Sequence, residues 1–215
     1  MRTIARKLIV MDFETDGLDP LTCNPTQLAS IVVDLKRLEI VPNSEFNITI
    51  RPDEIDDPGY HKAHEQTIKF HSEIMKIPEV SVIDLWKNGI PEKTAFTHYD
   101  DYIKKYCGAT SPVVGGQNVR GYDLPIYSRC CSKYNLPYRF YRREELDLLD
   151  FFSHWFMFAK TPPKNYKLDT IRKKFGMSLE GAHDALVDVK DTAKILLNFL
   201  RLHQRIIPKI KELYE

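Results

Sequence analysis

Two short stretches of this sequence bring together side chains that can bind metal and move protons. Near the N-terminus, Asp12-Phe13-Glu14 ends an apolar run with two carboxylates two residues apart. Residues i and i+2 of a strand project to one face, so both acids point the same way at a strand end. Far along the chain, Gly181-Ala182-His183-Asp184-Ala185-Leu186-Val187-Asp188 sets an imidazole five residues before a carboxylate. On a regular helix that spacing is a rotation of roughly 140°, which turns the two side chains apart. His183 is therefore expected in a loop before a helix. Asp184 then serves as N-cap, accepting from the free amides of the first turn, and Asp188 lies one turn inside. A mobile imidazole beside a fixed carboxylate suits a base next to a metal ligand.

A third acid, Asp123, follows the Gly-rich turn Gly115-Gly116-Gln117-Asn118-Val119-Arg120-Gly121-Tyr122 and opens the next helical pattern. Each residue has an ordinary explanation when taken alone. Asp12 and Glu14 would be loop-entry acids, Asp123 an N-cap, Asp188 a solvated helix acid and His183 a loop histidine. Taken together they say more. Like charges crowded at the edge of a core are destabilising without a counter-ion, and Mg²⁺ or Mn²⁺, as hard divalent cations, prefer oxygen ligands.

The elements that must position these residues are read from periodicity. Residues 7–13 and 27–35 are β-branched apolar runs separated by the turn chemistry of Asp16-Gly17-Leu18-Asp19-Pro20, and 39–50 alternates as a third strand, giving an antiparallel meander. The pattern weakens over 53–90, where a helix is expected around 64–75. Helix 92–106 follows, with Phe96, Tyr99, Tyr102, Ile103 and Tyr106 on one face and Gly108 as its stop. Next come strand 112–115, helix 123–134, strand 145–149, and helices 150–159 and 167–175. The final helix, 184–202, carries Leu186, Val189, Ala193, Leu196, Leu197 and Leu200 as its apolar stripe. A helical tail over 203–215 holds Ile206, Ile207, Ile210 and Leu213, which either cap the fold or dock a partner. Three strands followed by alternating helices and strands give an α/β fold, a mixed sheet with helices packed on it.

At 215 residues, 43% of them hydrophobic, the chain is long enough for one sizeable core and is read as a single domain over 1–215. With 31 Lys and Arg against 30 Asp and Glu, no global field draws nucleic acid or a membrane surface, so any polyanion must be held locally. Basic residues cluster at Arg139, Arg142 and Arg143 and at Lys160, Lys164, Lys167, Arg172, Lys173 and Lys174. Tyr138, Phe140, Tyr141 and Tyr166 interleave with them. Cys23, Cys107, Cys130 and Cys131 lack zinc-site spacing, and vicinal Cys130-Cys131 is a poor disulfide, so a reducing compartment is the default. The apolar run behind Arg2, Arg6 and Lys7 is too short for a signal peptide, and no stretch reaches the ~20 apolar residues of a membrane span. The expected location is cytoplasmic, or nuclear in a eukaryote.

Three blocks, Asp12-Phe13-Glu14-Thr15-Asp16-Gly17-Leu18, Asn118-x-x-x-Tyr122-Asp123 and His183-Asp184-Ala185-Leu186-Val187-Asp188 with Thr192-Ala193, resemble those of the DnaQ-like, DEDDh-type 3′-to-5′ exonucleases of the ribonuclease H-like fold. Leu168-Asp169-Thr170-Ile171 through Phe175-Gly176 resembles the short helix that precedes their last block. The resemblance implies that Asp12, Glu14, Asp123 and Asp188 hold two divalent ions, Mg²⁺ or Mn²⁺, with His183 as general base. It implies substrate contacts from Thr15, Gly17, Leu18 and Asn118, and a nucleic acid with a free 3′ end, single-stranded DNA being favoured. Asp16 stands where many relatives have threonine, Tyr122 replaces phenylalanine, and 60–86 departs from the family pattern. An RNA 3′-end exonuclease or oligoribonuclease would use the same five residues. A silent binding module, or a subunit serving a polymerase or repair partner in trans, is the reading from another class.

Overall fold

The computed structural model describes residues 7–141 and 144–212, with side chains described as far as residue 207. Arg2, Arg6, Arg142, Arg143 and the side chains of Ile210 and Leu213, all named above, lie outside it. Strand β1 (Lys7–Thr15) is the spine of a mixed sheet. It pairs antiparallel with β2 (Pro25–Asp34), and β2 pairs antiparallel with β3 (Glu39–Ile40) and β4 (Phe46–Arg51). On its other side β1 runs parallel to β6 (Val113–Gly116), which runs parallel to β7 (Glu145–Asp147). A short β5 (Ile90–Pro91) adds a parallel edge to β4, giving the order β5-β4-β2-β1-β6-β7 with β3 beside β2. The expected fold, antiparallel strands followed by parallel ones, is the one found.

The helices divide between the two faces. On one, Ile9, Met11 and Phe13 of β1 meet Phe96, Tyr99 and Ile103 of α4 (Glu92–Cys107) and Ile126 and Tyr127 of α5 (Asp123–Lys133). On the other, Leu8 and Val10 meet Val189, Ala193 and Leu196 of α8 (Ala185–Glu212) and Phe152 of α6 (Leu148–Trp155), with Ile171 of α7 (Leu168–Lys174) beside them. Alternation along β1 therefore turns Asp12 and Glu14 toward α8.

Several expectations are corrected. Residues 39–50 are not one strand: Pro42 supplies no N–H, Asn43 is left-handed (φ 57°), and the Ser44 hydroxyl takes the Val32 amide, so the chain peels away between β3 and β4. In the weakly patterned 53–90 region the helix expected around 64–75 is found as α2 (Glu65–Met75), and α1 (Tyr60–Ala63) and α3 (Glu79–Lys87), which were not expected, flank it around a small core of Ile55, Tyr60, Ile68, Val82 and Trp86. Strand 145–149 stops at Asp147 because that side chain accepts from the Leu149 amide and starts α6 two residues early. α8 runs on as one helix to Glu212, and Ile206 and Ile207, the tail's apolar side chains among the described residues, are exposed. Among the described residues, no helix is long and apolar enough to cross a membrane.

Candidate active site

The pairing of β1 with β6 ends at Val10, so Asp12 and Glu14 lie beyond it, where β6 turns away. Divergence of neighbours at the carboxyl ends of strands opens the crevice in which α/β sheets bind ligands. α8 delivers Asp188 into that crevice, and ligand oxygens of Asp12, Glu14 and Asp188 all lie within 4.8 Å of one another. Asp123 belongs to the same charge cluster but not to that close set. It is buried at the first position of α5, and its Oδ1 accepts from the Phe13 amide at 2.9 Å. The N-cap explanation for Asp123 fails, since Tyr122 occupies the cap position and the Asp123 carboxylate reaches back to β1 instead.

Burial drives the electrostatics. Desolvation, then Asp123, Glu14 and Asp188, push the Asp12 carboxyl well above its ordinary range, with Arg172 opposing. Burial, with Asp188, Asp123 and Asp184, lifts Glu14 to about 8. Asp123 also rises to about 8, from burial, against the relief given by the Phe13 amide. Asp188 is raised by burial and partly relieved by Arg172. Four acids resist ionisation together with one guanidinium nearby, which is the condition a divalent cation relieves.

His183 sits in the loop before α8, as expected. Gly181 (φ 75°) and His183 (φ 68°) are both left-handed, and a side chain at 181 would also press on Val187, so glycine is required there. The loop is closed by the Asp184 carboxylate, which caps α8 through the Leu186 and Val187 amides at 3.0 and 3.1 Å. The His183 amide donates to Asp188 Oδ1 at 3.2 Å, tying the imidazole-bearing residue to the carboxylate.

The four residues expected to contact substrate are placed differently from one another. Thr15 Oγ1 lies 2.6 Å from the Tyr122 hydroxyl and donates to the Gly17 carbonyl at 2.7 Å, and Tyr122 donates to the same carbonyl. The Thr15 hydroxyl is thus occupied in building the turn. That turn presents Leu18 to solvent, 86% exposed. Asn118 is left-handed (φ 58°) and exposed, its amide bound to Asp147.

Three participants were given no role in the site from the sequence. Arg172, grouped there with the basic run, is fully buried and donates to Asp188 and Asp191, both at 2.9 Å. Asp147 holds the Asn118 and Arg120 amides and so shapes the Gly-rich turn, and its place before Leu148-Leu149 is a helix-cap signal legible in sequence. Asp16 is buried and accepts from Tyr60 and Asn24, fastening α1 to the end of β1. The aromatic and basic interleaving is also corrected in part, because Tyr138 and Phe140 pack on Tyr127 in the core and Arg139 pairs with Asp100.

This arrangement of sheet and helices is the ribonuclease H-like fold. Exonuclease I from E. coli in complex with a dT13 oligonucleotide superposes with a TM-score of 0.68 at 17% identity, over 94% of this chain and 43% of that one. A moderately thermophilic exonuclease I from Methylocaldum szegediense gives 0.65 at 20% identity, over 89% and 39%. A zinc-bound E. coli exonuclease I complex with single-stranded DNA gives 0.64 at 18%, over 89% and 40%. The chain thus spans about two fifths of the length of these structures. No family model and no curated protein matches it.

Proposed function

We propose that this chain is a divalent-metal-dependent exonuclease that removes nucleotides from the 3′ end of a single strand. The observation that carries this is the convergence of Asp12, Glu14 and Asp188 within 4.8 Å, at the carboxyl end of the central strand, with the His183 amide bound to the same Asp188. An all-oxygen donor set with surplus negative charge fits Mg²⁺ or Mn²⁺. Asp12, Glu14 and Asp188, with Asp123, would hold two such ions, whose chemistry when bound would be to lower the pKa of a water and to neutralise charge on the attacking and leaving oxygens.

The chain's own residues do the rest. His183, half exposed beside the cluster, accepts the proton of the attacking water as that oxygen bonds to phosphorus. The bond from phosphorus to the 3′ oxygen of the preceding nucleotide breaks, releasing a nucleoside 5′-monophosphate and a shortened strand. Arg172 fixes the Asp188 carboxylate from behind, and Asp184 fixes the loop that carries His183. Leu18 offers an apolar surface to a base, Gly17 lets the turn lie close to the strand, Asn118 faces the strand, and Thr15 acts through the turn it builds. Exposed Lys164, Lys167, Lys173 and Lys174 supply local attraction for phosphates in a chain without net field. The single-strand preference is supported by the oligonucleotide complexes of the similar structures.

The test is cleavage of matched 5′-labelled single-stranded DNA and RNA with Mg²⁺, Mn²⁺ or EDTA. A ladder that shortens from the 3′ end and vanishes with EDTA is expected, with DNA the better substrate. A stronger RNA ladder would replace the sugar preference and keep the reaction, whereas intact strands under every metal condition would remove it.

A further inference from the structure

The region in which the sequence departs from the exonuclease pattern, 60–86, lies directly against the proposed base. α1 and α2 are fastened to the end of β1 by three contacts: Tyr60 donates to Asp16 Oδ2 at 2.7 Å, His64 Nδ1 meets the Asp16 carbonyl at 2.8 Å, and His71 Nε2 meets the Thr15 carbonyl at 3.1 Å. His71 is buried edge-on to Trp86, so α2 is locked to α3 as well as to the strand. This anchorage carries the neighbouring Phe70 to the mouth of the site. Its ring stands edge-on to the His183 imidazole, with centroids 5.5 Å apart and planes at 75°, although Phe70 itself is 46% exposed. An exposed aromatic held by a buried neighbour in the same turn is oriented by the fold, not by its own burial.

On another side of the imidazole, Asp169 of α7 brings Oδ2 to 3.3 Å from His183 Nε2. Asp169 is steadied in turn by the buried Arg172, whose Nη1 lies 3.4 Å from Oδ1. The His183 main chain is fixed by the bond from its amide to Asp188, but its side chain extends from a left-handed residue toward solvent. Among the staggered rotamers that this backbone leaves open, contacts made by the ring itself make the selection. An edge-on aromatic pair and a carboxylate contact are two such restraints, from two different helices.

We infer that Phe70 and Asp169 are positioning residues that clamp the His183 imidazole beside Asp188. The clamp stands on geometry alone, while its consequence for rate rests on the exonuclease reading. A positioned base contributes about 10²- to 10⁴-fold, of which correct placement is a part. Phe70→Ala is expected to lower kcat by roughly 5- to 10-fold with KM within about twofold, Phe70→Tyr to restore it, and Asp169→Asn to act similarly with Asp169→Glu as its partial rescue. In a His183→Ala background neither substitution should lower the rate further, as a double-mutant cycle requires of residues that act through one side chain. A readout independent of turnover is the ¹³C relaxation of the His183 ring in metal-free protein, which should report greater mobility in Phe70→Ala. The inference is overturned if Phe70→Ala raises KM alone, which would make the ring a stacking surface for a nucleotide. It is equally overturned if the loss persists without His183, or if the ring is as ordered in the variant as in the wild type. Should the wild-type protein cleave nothing, the exonuclease reading fails and the relaxation measurement alone decides the clamp.

Discussion

Replacing Glu14 by glutamine should make the metal-free protein more stable, although it removes a residue of the proposed centre. Glu14 is held at about 8 against an ordinary value of 4.5, chiefly by burial and then by Asp188, Asp123 and Asp184. Because the folded value lies above the unfolded one, the native state binds more protons between those two values. Stability is therefore fully present below about 4.5 and is lost as pH rises through about 8. At pH 7 the cost is about 1.4 kcal/mol for each unit between 4.5 and 7, or roughly 3.5 kcal/mol as a ceiling. The neighbouring carboxyls share the repulsion, so glutamine should recover about 1–3 kcal/mol, or roughly 2–12 °C in Tm for a chain of this size. Calorimetry in EDTA at pH 5, 6.5 and 8 should show the gain growing with pH. Adding Mn²⁺ should reverse the order, stabilising the wild type and leaving the variant nearly unmoved. A Glu14→Gln protein less stable than wild type in EDTA at pH 8 would refute the claim that this carboxylate is held against its own preference.

Three further outcomes follow from the same contacts. Arg172→Met leaves Asp188 buried without its cation and Asp191 with Lys194 alone, and should cost about 3–5 kcal/mol in urea unfolding, with Arg172→Lys a poor rescue because a single ammonium cannot span both acids. Asp184→Ala removes the cap of α8 and should cost about 1 kcal/mol, read as a lower midpoint in thermal unfolding. His183→Ala should keep Mn²⁺ affinity, measured by calorimetric titration, yet slow single-turnover cleavage by about 10²- to 10⁴-fold, and an unchanged rate would remove its role as base.

The parts of this molecule legible in the sequence are those governed by short-range periodicity. Alternation over β1 turned Asp12 and Glu14 to one face, and the five-residue spacing from His183 to Asp188 required the loop and the Asp184 cap that the structure contains. The parts that were not legible depend on contacts between distant segments. Arg172 looks like one more member of a basic run until α7 packs against α8 and buries it. Tyr138 and Phe140 read as stacking platforms among arginines because nothing local reveals that Tyr127 receives them. In the α1–α3 segment only α2 was legible, because α1 and α3 are short and the small core is shared among the three, so neither shows a full apolar stripe. Phe70 was invisible for the same reason, its orientation being set by His71 bonding to Thr15 more than fifty residues away.

The most direct test of the central claim is digestion, with Mn²⁺, of one single-stranded DNA presented as a closed circle and as the same strand linearised. The cluster of Asp12, Glu14 and Asp188, acting on a 3′ terminus, predicts mononucleotides from the linear form, an intact circle, and neither reaction for Asp12→Ala. Cleavage of the circle, or a linear strand that survives, would contradict it.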